Sequence, residues 1–266
     1  MFRNPSVLIQ IFVLIALYVF LYLPIFYIVY LSAQADSVWP FPADFTWDHY
    51  VSLWEQKDYS VGLLNSLIIG IGTGIISSLL ATMAAVGILK YRVKSSKLIA
   101  GLYLSPLFIA HILIGISSLM FNKTLLGLPG NVFSAIIANT TYTTAFAFLV
   151  VLAQLARYDW RLDEAAMVFG ATPITTFREI TFPLVWPAIL GAFIVSFLLS
   201  FNNLEISFYN LGATPTLPTL AWGSLRYGVS QELYALAALI NLAVFTFLGG
   251  LYYLLKTGLV RLDYKD

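Results

Sequence analysis

Long apolar segments constrain this chain most, because each has the length needed to cross a lipid bilayer as a helix. An α-helix rises about 1.5 Å per residue, so a hydrocarbon core of about 30 Å takes about 20 apolar residues. Six segments meet this requirement, at about residues 7–31, 63–89, 98–121, 132–155, 184–204 and 233–255. The sequence therefore predicts an all-α integral membrane protein with six transmembrane helices.

Charge and composition support this assignment and exclude several kinds of site. Only 10% of the residues are charged and 60% are hydrophobic, whereas a soluble domain carries about 25% charged residues. The net charge of +1 gives no indication of a nucleic-acid partner. The chain has no cysteine, which excludes disulfides and thiol catalysis. Its two histidines, His49 and His111, lie far apart in sequence, so no metal site and no catalytic residues are predicted.

The basic residues predict the orientation of the chain in the membrane. If both termini of a six-span chain lie on one side, that side carries eleven of the fourteen Lys and Arg residues, against Lys57, Lys123 and Arg226 opposite. Such an excess marks the cytoplasmic side, so both termini are predicted to be cytoplasmic. Residues 1–262 are predicted to form a single transmembrane domain, and residues 263–266 are interpreted as a possible tag remnant.

A polar loop between the fourth and fifth spans, residues 156–182, is neither apolar enough to insert nor irregular enough for a linker. Acidic residues favour a short helix at its start, and Gly170 is placed to end that helix in a left-handed turn. Thr172 then provides an N-cap, and Pro173 a first residue, for a second short helix. Pro183 is predicted to end this second helix before the next span.

Within this loop, Glu164-Ala165-Ala166-Met167-Val168-Phe169-Gly170 is followed after nine residues by Ile180-Thr181-Phe182-Pro183. The pattern resembles the "EAA" signature of ABC-importer permeases, E-A-A-x3-G-x9-I-x-L-P, and departs from it only in Phe182. The resemblance implies a cytoplasmic coupling helix that docks on an ATP-binding subunit. The implied coupling residues are Glu164, Ala165, Ala166, Gly170, Ile180 and Pro183. The alternative is a solvated connector in which Gly170 is an ordinary C-cap.

Weaker matches, such as Lys90-Tyr91-Arg92 and Ser105-Pro106, extend the resemblance over nearly the whole chain and to the spermidine/putrescine-type branch. It implies a non-catalytic, multi-pass subunit of the bacterial inner membrane. No phosphate-binding glycine loop is present, so ATP and Mg²⁺ belong to separate subunits. The implied partners are two ATP-binding subunits, a second and preferably different permease chain, an extracytoplasmic solute-binding protein and lipid. No nucleic acid is implied.

Polar residues in and beside the fifth span predict the substrate path, because such residues are costly in lipid. Ser196, Ser200 and Asn203 recur at helical spacing and are predicted to share one stripe of the helix, with Asn202 and Glu205 beside it. The alternative is that they hydrogen-bond neighbouring helices. Polyamine-type permeases tend to carry two aspartates where this chain has Asn202-Asn203. Neutral amides attract a cationic polyamine less than carboxylates do, although Glu205 keeps one acidic group nearby. The predicted cargo is polyamine-like or another amino-bearing solute, and this replacement favours the second, such as an aminophosphonate or an opine.

Two other functional classes compete with this interpretation. An intramembrane enzyme needs paired carboxylates, or a His/Asp or Ser/Lys couple, at bilayer depth, and the sequence shows neither. An ATP-independent secondary transporter often shows inverted repeats, and no convincing repeat is present. Dependence of uptake on ATP, rather than on an ion gradient, separates that alternative from an ABC importer.

Overall fold

The computed structural model describes residues 5–35, 44–91, 93–225 and 230–256. These residues fall into two compact units: the first contains those up to Lys57 and from Gly223 onward, and the second is Asp58–Trp222. Outside the described residues lie the tag remnant predicted at 263–266 and several basic residues of the orientation argument, namely Arg3, Arg92, Arg226, Arg261 and Lys265.

Helices account for the regular structure of the described residues, apart from an isolated β-bridge between Gln34 and Phe45. They are α1 (Pro5–Ser32), α2 (Asp48–Glu55), α3 (Lys57–Leu89), α4 (Ser96–Leu104), α5 (His111–Thr124), α6 (Val132–Leu155), α7 (Arg161–Val168), α8 (Pro173–Thr176), α9 (Phe182–Phe201), α10 (Glu205–Asn210), α11 (Leu217–Leu225) and α12 (Gln231–Lys256). A 3₁₀ turn (Ser105–Phe108) follows α4, and a π-helical turn (Phe177–Thr181) joins α8 to α9. The predicted all-α class is confirmed for these residues.

Four helical stretches are long and apolar enough to cross a membrane, and they match the predicted first, second, fourth and fifth spans: Ile9–Ser32, Lys57–Leu89, Val132–Leu155 and Pro173–Phe201. The predicted third span is broken, because the segments Ser96–Phe108 and His111–Thr124 meet at 110°. If this bent pair is counted as one span, the described residues contain five candidate spans instead of four. The sixth predicted span is helical in α12, but its apolar stretch of described side chains, Gln231–Thr246, is shorter than a full crossing.

Proline chemistry explains the break in the third span. Pro106 has no N–H, and its ring clashes with the carbonyl one turn earlier in a regular helix, so α4 ends in a 3₁₀ turn. Ile109 and Ala110 then take extended backbone angles before α5 begins at His111. The fifth span also ends early: α9 stops at Phe201, short of the predicted 204, and α10 begins at Glu205.

α3 packs closely against α9 in the second unit. A Cβ added at Gly70 would lie 2.9 Å from ring carbons of Phe197, and one added at Gly74 would lie 2.9 Å from ring carbons of Phe193. The two phenylalanine rings stack on each other with centroids 6.3 Å apart. The missing side chains of the glycines therefore make the groove into which this aromatic stack fits, as small residues do between membrane helices.

Gly74→Ala is expected to destabilise the permease, although alanine is the better helix former. The new methyl group would press on the Phe193 ring and on its carbonyl oxygen, 3.1 Å away, and overpacking of this kind costs about 1–3 kcal/mol. Gly87→Ala is the matched control, since a Cβ there meets nothing within 4 Å in the same helix. Thermal unfolding in detergent should show a lower Tm for Gly74→Ala alone; equal Tm values for the two variants would contradict the packing argument.

A buried amide network fixes α10 against α5. The Asn210 side-chain amide donates to the carbonyls of Gly115 (3.0 Å) and Ile206 (2.9 Å), and its Oδ1 accepts from Asn122 Nδ2 at 3.2 Å. Gly115 allows the close approach, because a Cβ there would lie 3.1 Å from the carbonyl oxygen of Glu205. The network thereby holds α10 alongside α5, and the first residue of each helix, Glu205 and His111, lines the polar pocket described below.

Candidate functional site

The EAA loop, defined here as residues 156–183, contains the two short helices expected from the sequence. α7 is followed by Gly170 at φ 93°, a left-handed conformation that glycine adopts without strain. Thr172 caps α8, because its Oγ1 accepts a hydrogen bond from the N–H of Thr175 at 3.2 Å, and Pro173 is the first residue of that helix. The predicted caps at these positions are confirmed.

The prediction that Pro183 ends the second short helix is wrong. α8 continues through the π-helical turn into α9, which gives one helical stretch from Pro173 to Phe201. Pro183 lies in the first turn of α9, and proline is tolerated at the start of a helix segment, where its missing N–H costs least. The wider π-helical turn comes directly before it and changes the hydrogen-bond register there.

Exposure differs among the predicted coupling residues: Ala166 and Ile180 are half-buried, whereas the exposed ones are Glu164, Ala165, Gly170 and Pro183. The sequence reasoning missed three apolar side chains on the same loop. Val168 is 84% exposed, Phe169 92% and Ile174 80%. Because they lie on a polar loop outside the predicted spans, these exposed apolar side chains are candidates for a protein contact. In the sequence they could have been recognised as apolar residues at variable positions of the EAA signature, in a loop that is otherwise polar.

A buried carboxylate cluster joins the EAA loop to its surroundings. Asp163 Oδ2 accepts from Lys90 Nζ at 2.5 Å, and its Oδ1 accepts from Tyr158 Oη at 2.6 Å and Thr181 Oγ1 at 3.0 Å. Burial alone would raise the pKa of Asp163, but these hydrogen bonds and the charge of Lys90 outweigh it and hold the pKa below its ordinary value. Burial, with Asp163 as acceptor, raises the pKa of Tyr158 to about 12. The carboxylate is therefore charged and the phenol neutral at physiological pH.

A polar pocket of about 420 Å³ is the second candidate site, and it lies where the starts of α5 and α10 meet α6 and the end of α9. Its lining residues are His111, Tyr142, Leu198, Leu199, Asn202, Asn203, Leu204 and Glu205. His111 Nδ1 lies 3.7 Å from Glu205 Oε2, and the His111 ring meets that of Tyr142 edge-on at 4.2 Å between centroids. The pocket thus combines one carboxylate, one imidazole, two amides and a phenol.

The depth of the polar pocket follows from the contact between α9 and α3. Ser200 Oγ donates to Thr73 Oγ1 at 3.1 Å, and Thr73 is the central residue of α3 (Lys57–Leu89). Asn202 follows two residues later. The polar pocket therefore lies beside the middle of α3 rather than beside either of its ends.

The predicted substrate-path residues separate into two groups. Asn202, Asn203 and Glu205 line the polar pocket, whereas Ser196 and Ser200 are buried within the second unit and do not line it. Because α9 ends at Phe201, Asn203 lies beyond the helix and the predicted stripe of three residues holds only for the two serines. His111 is conspicuous in the sequence as a polar residue within the predicted third span, although a structural role is the favoured prediction for it, and it lines the pocket. Tyr142 was missing from the predicted path.

Three other cavities of similar or larger size offer less to a polar solute. Two in the first unit, about 550 and 560 Å³, are lined almost entirely by apolar side chains. One of about 520 Å³ in the second unit contains three threonines of α6, but their hydroxyls donate to carbonyls one turn earlier in the same helix. In the described part of the chain, no three His, Asp or Glu residues are grouped to hold a metal ion.

The sequence and the fold of this chain are each similar to those of known proteins. No protein-family profile matches the sequence. The chain is 31% identical over 242 residues to the putrescine transport system permease protein PotI of Escherichia coli K12, covering 88% of this chain and 86% of PotI. It is 26% identical over 226 residues to the spermidine/putrescine transport system permease protein PotC of the same strain, covering 85% of each.

The fold is similar to that of a bacterial ABC transporter involved in the import of the acidic polysaccharide alginate, known from a crystal structure. The TM-score is 0.71 at 17% sequence identity, and the superposition covers 96% of this chain and 99% of the other. At this identity the likeness concerns the fold alone.

Proposed function

Because this chain belongs to the family of ABC-importer permease subunits, we propose that it forms half of the path by which a small amino-bearing solute is imported. It is a non-catalytic subunit and a multi-pass protein of the inner membrane, like its relatives. ATP and Mg²⁺ would act on partner subunits. The partners we propose are two ATP-binding subunits, a second and different permease chain, an extracytoplasmic solute-binding protein and lipid.

The proposed topology has six spans in a single domain over residues 1–262, with both termini in the cytoplasm. The apolar helices, with the bent pair taken as the third span and α12 as the sixth, support it. The excess of Lys and Arg on one set of loops supports the orientation. In this topology the EAA loop faces the cytoplasm.

The exposed surface of the EAA loop is the observation that carries the proposal. It carries both acidic and apolar side chains: Glu164 is exposed, and Val168, Phe169 and Ile174 are nearly fully so. In the proposed contact, Phe169 and its apolar neighbours fill a groove on the ATP-binding subunit while Glu164 meets basic groups. Gly170 permits the sharp turn between the two short helices.

For the cargo we propose an amine bound in the polar pocket. Glu205 would pair with an ammonium group, and Asn202 and Asn203 would supply neutral hydrogen bonds. The relatives named above transport putrescine or spermidine, which favours a polyamine-like cargo. His111 leaves room for a second candidate, a zwitterion such as an aminophosphonate or opine, whose acidic group would contact the imidazole.

Co-purification and vesicle uptake test this function together. Glu164→Gln and Gly170→Val are each expected to weaken retention of the ATP-binding subunit about tenfold, through a lost charge contact and a strained backbone. Glu55→Gln, an exposed glutamate of α2 on the proposed outer side, is the matched control. Unchanged retention and uptake in the loop variants would overturn the coupling role. Uptake that follows an ion gradient without ATP would favour the secondary transporter.

A further inference from the structure

Glu164 is the acidic residue of the EAA signature, but the buried carboxylate of this helix belongs to its neighbour Asp163. Asp163 is 1% exposed and is the single buried residue of α7, all eight residues of which the structure describes. Glu164 is exposed. A carboxylate out of water is unfavourable unless it is paired and hydrogen-bonded. Asp163 meets that condition completely, which separates its role from that of a docking residue.

The groups that satisfy Asp163 come from the ends of three membrane helices. Lys90 directly follows α3, Tyr158 follows α6, and Thr181 is the last residue before α9. Lys90 Nζ also lies 5.4 Å from the centre of the Trp160 ring. We name the set Lys90, Tyr158, Asp163 and Thr181 the carboxylate latch. It ties the first helix of the EAA loop to α3, α6 and α9 through one side chain.

We propose that Asp163 is a positioning residue that transmits movement of the EAA loop to the membrane helices. The other side chains of α7 are exposed or half-buried, so the latch is its main side-chain attachment. The exposed face of the loop, with Glu164 and Phe169, holds the ATP-binding subunit; the buried face, with Asp163, pulls on the helices. This inference rests on the docking role proposed above.

The absence of cysteine allows a test that needs no knowledge of the cargo. A single cysteine introduced by Asn202→Cys would report, through its maleimide labelling rate, on the end of α9 at the polar pocket. The assembled transporter is labelled without nucleotide and after trapping with ATP and vanadate. On the otherwise unaltered background the labelling rate should change on trapping. If it does not, the coupling function itself fails, whatever the role of Asp163.

Asp163→Asn and Lys90→Gln are expected to retain the ATP-binding subunit and its ATPase activity within about twofold, since the docking face is untouched. They should lose the nucleotide-dependent change in labelling of the Asn202→Cys reporter. Lys94→Gln, an exposed lysine near the same end of α3, is the control and should keep the change. The double variant Lys90→Gln/Asp163→Asn should recover part of it, because neither partner is then left as an uncompensated charge.

Three outcomes would overturn the inference. The first is a full labelling change in Asp163→Asn. The second is loss of the ATP-binding subunit from Asp163→Asn to the same extent as from Glu164→Gln, which would make Asp163 part of the docking surface. If Asp163→Asn does not fold, Tyr158→Phe and Thr181→Val decide, since each removes one donor without changing charge. Each should reduce the labelling change at least about twofold, and no reduction in either is the third outcome.

Discussion

Phe169→Asp is expected to give a folded permease that no longer holds its ATP-binding subunit. The side chain is 92% exposed, so the fold loses no buried contact when it is replaced. An aromatic anchor in a protein interface accounts for about 2–4 kcal/mol, which corresponds to about 30- to 1,000-fold in affinity. A carboxylate at this position would also have to lose its bound water to enter the groove, which weakens binding further. Co-purification should therefore recover the permease without ATPase, and ATP-driven uptake should stop.

Phe169→Leu is the matched variant, because it keeps an apolar side chain at the same exposed position. It should retain most of the ATP-binding subunit, and both variants should unfold at the same temperature as the unaltered permease. If Phe169→Asp co-purifies with the ATPase at wild-type levels, the exposed apolar residues of the EAA loop do not form the docking surface.

Glu205→Gln is expected to abolish most uptake while leaving the ATPase bound. Glu205 supplies the single carboxylate among the lining residues of the polar pocket, and hydrogen bonds to charged groups contribute about 1.5–3 kcal/mol. Uptake of an amine should accordingly fall about 10- to 150-fold. Uptake into vesicles and retention of the ATPase on the permease are measured side by side. Ser196→Ala is the control, since Ser196 is buried in α9 away from the pocket.

A second substitution at the polar pocket distinguishes the two classes of cargo. Asn202→Asp adds a carboxylate beside Glu205, which should favour a polyamine with several ammonium groups and disfavour a solute that carries its own acidic group. Uptake of putrescine and uptake of an aminophosphonate are measured in parallel in vesicles that contain this variant. Unaltered uptake of every amine tested in Glu205→Gln would remove the polar pocket from the path.

Features that depend on nearby residues were predictable from the sequence, whereas those that join distant residues were not. The apolar lengths of α1, α3 and α6, the left-handed turn at Gly170 and the cap at Thr172 follow from helix geometry and backbone preference. The break after Pro106 could not be predicted in this way, because proline is compatible with a membrane helix whose neighbours satisfy the freed carbonyl.

The carboxylate latch and the polar pocket could not be predicted from the sequence, because each joins residues that lie far apart in it. Lys90 lies 73 residues before Asp163, and His111 and Glu205 are brought together only because α5 and α10 start beside each other. A single sequence carries no covariation that would reveal such pairs. The end of α9 at Phe201 was also missed, because Asn202 and Asn203 are followed by the apolar Leu204 and no proline or glycine between Phe201 and Glu205 marks the end of the helix.

One continuous helical stretch, Pro173–Phe201, has the EAA loop at its start and the polar pocket at its end. Twenty-nine residues make a rod of about 43 Å at 1.5 Å per residue. Tilting such a rod by about 10° about one end displaces the other by about 7 Å, more than the width of an ammonium group. If this stretch moves as one rod, a small rotation at the EAA loop would displace the end of α9 that lines the polar pocket, and the carboxylate latch would join α3 and α6 to the same movement.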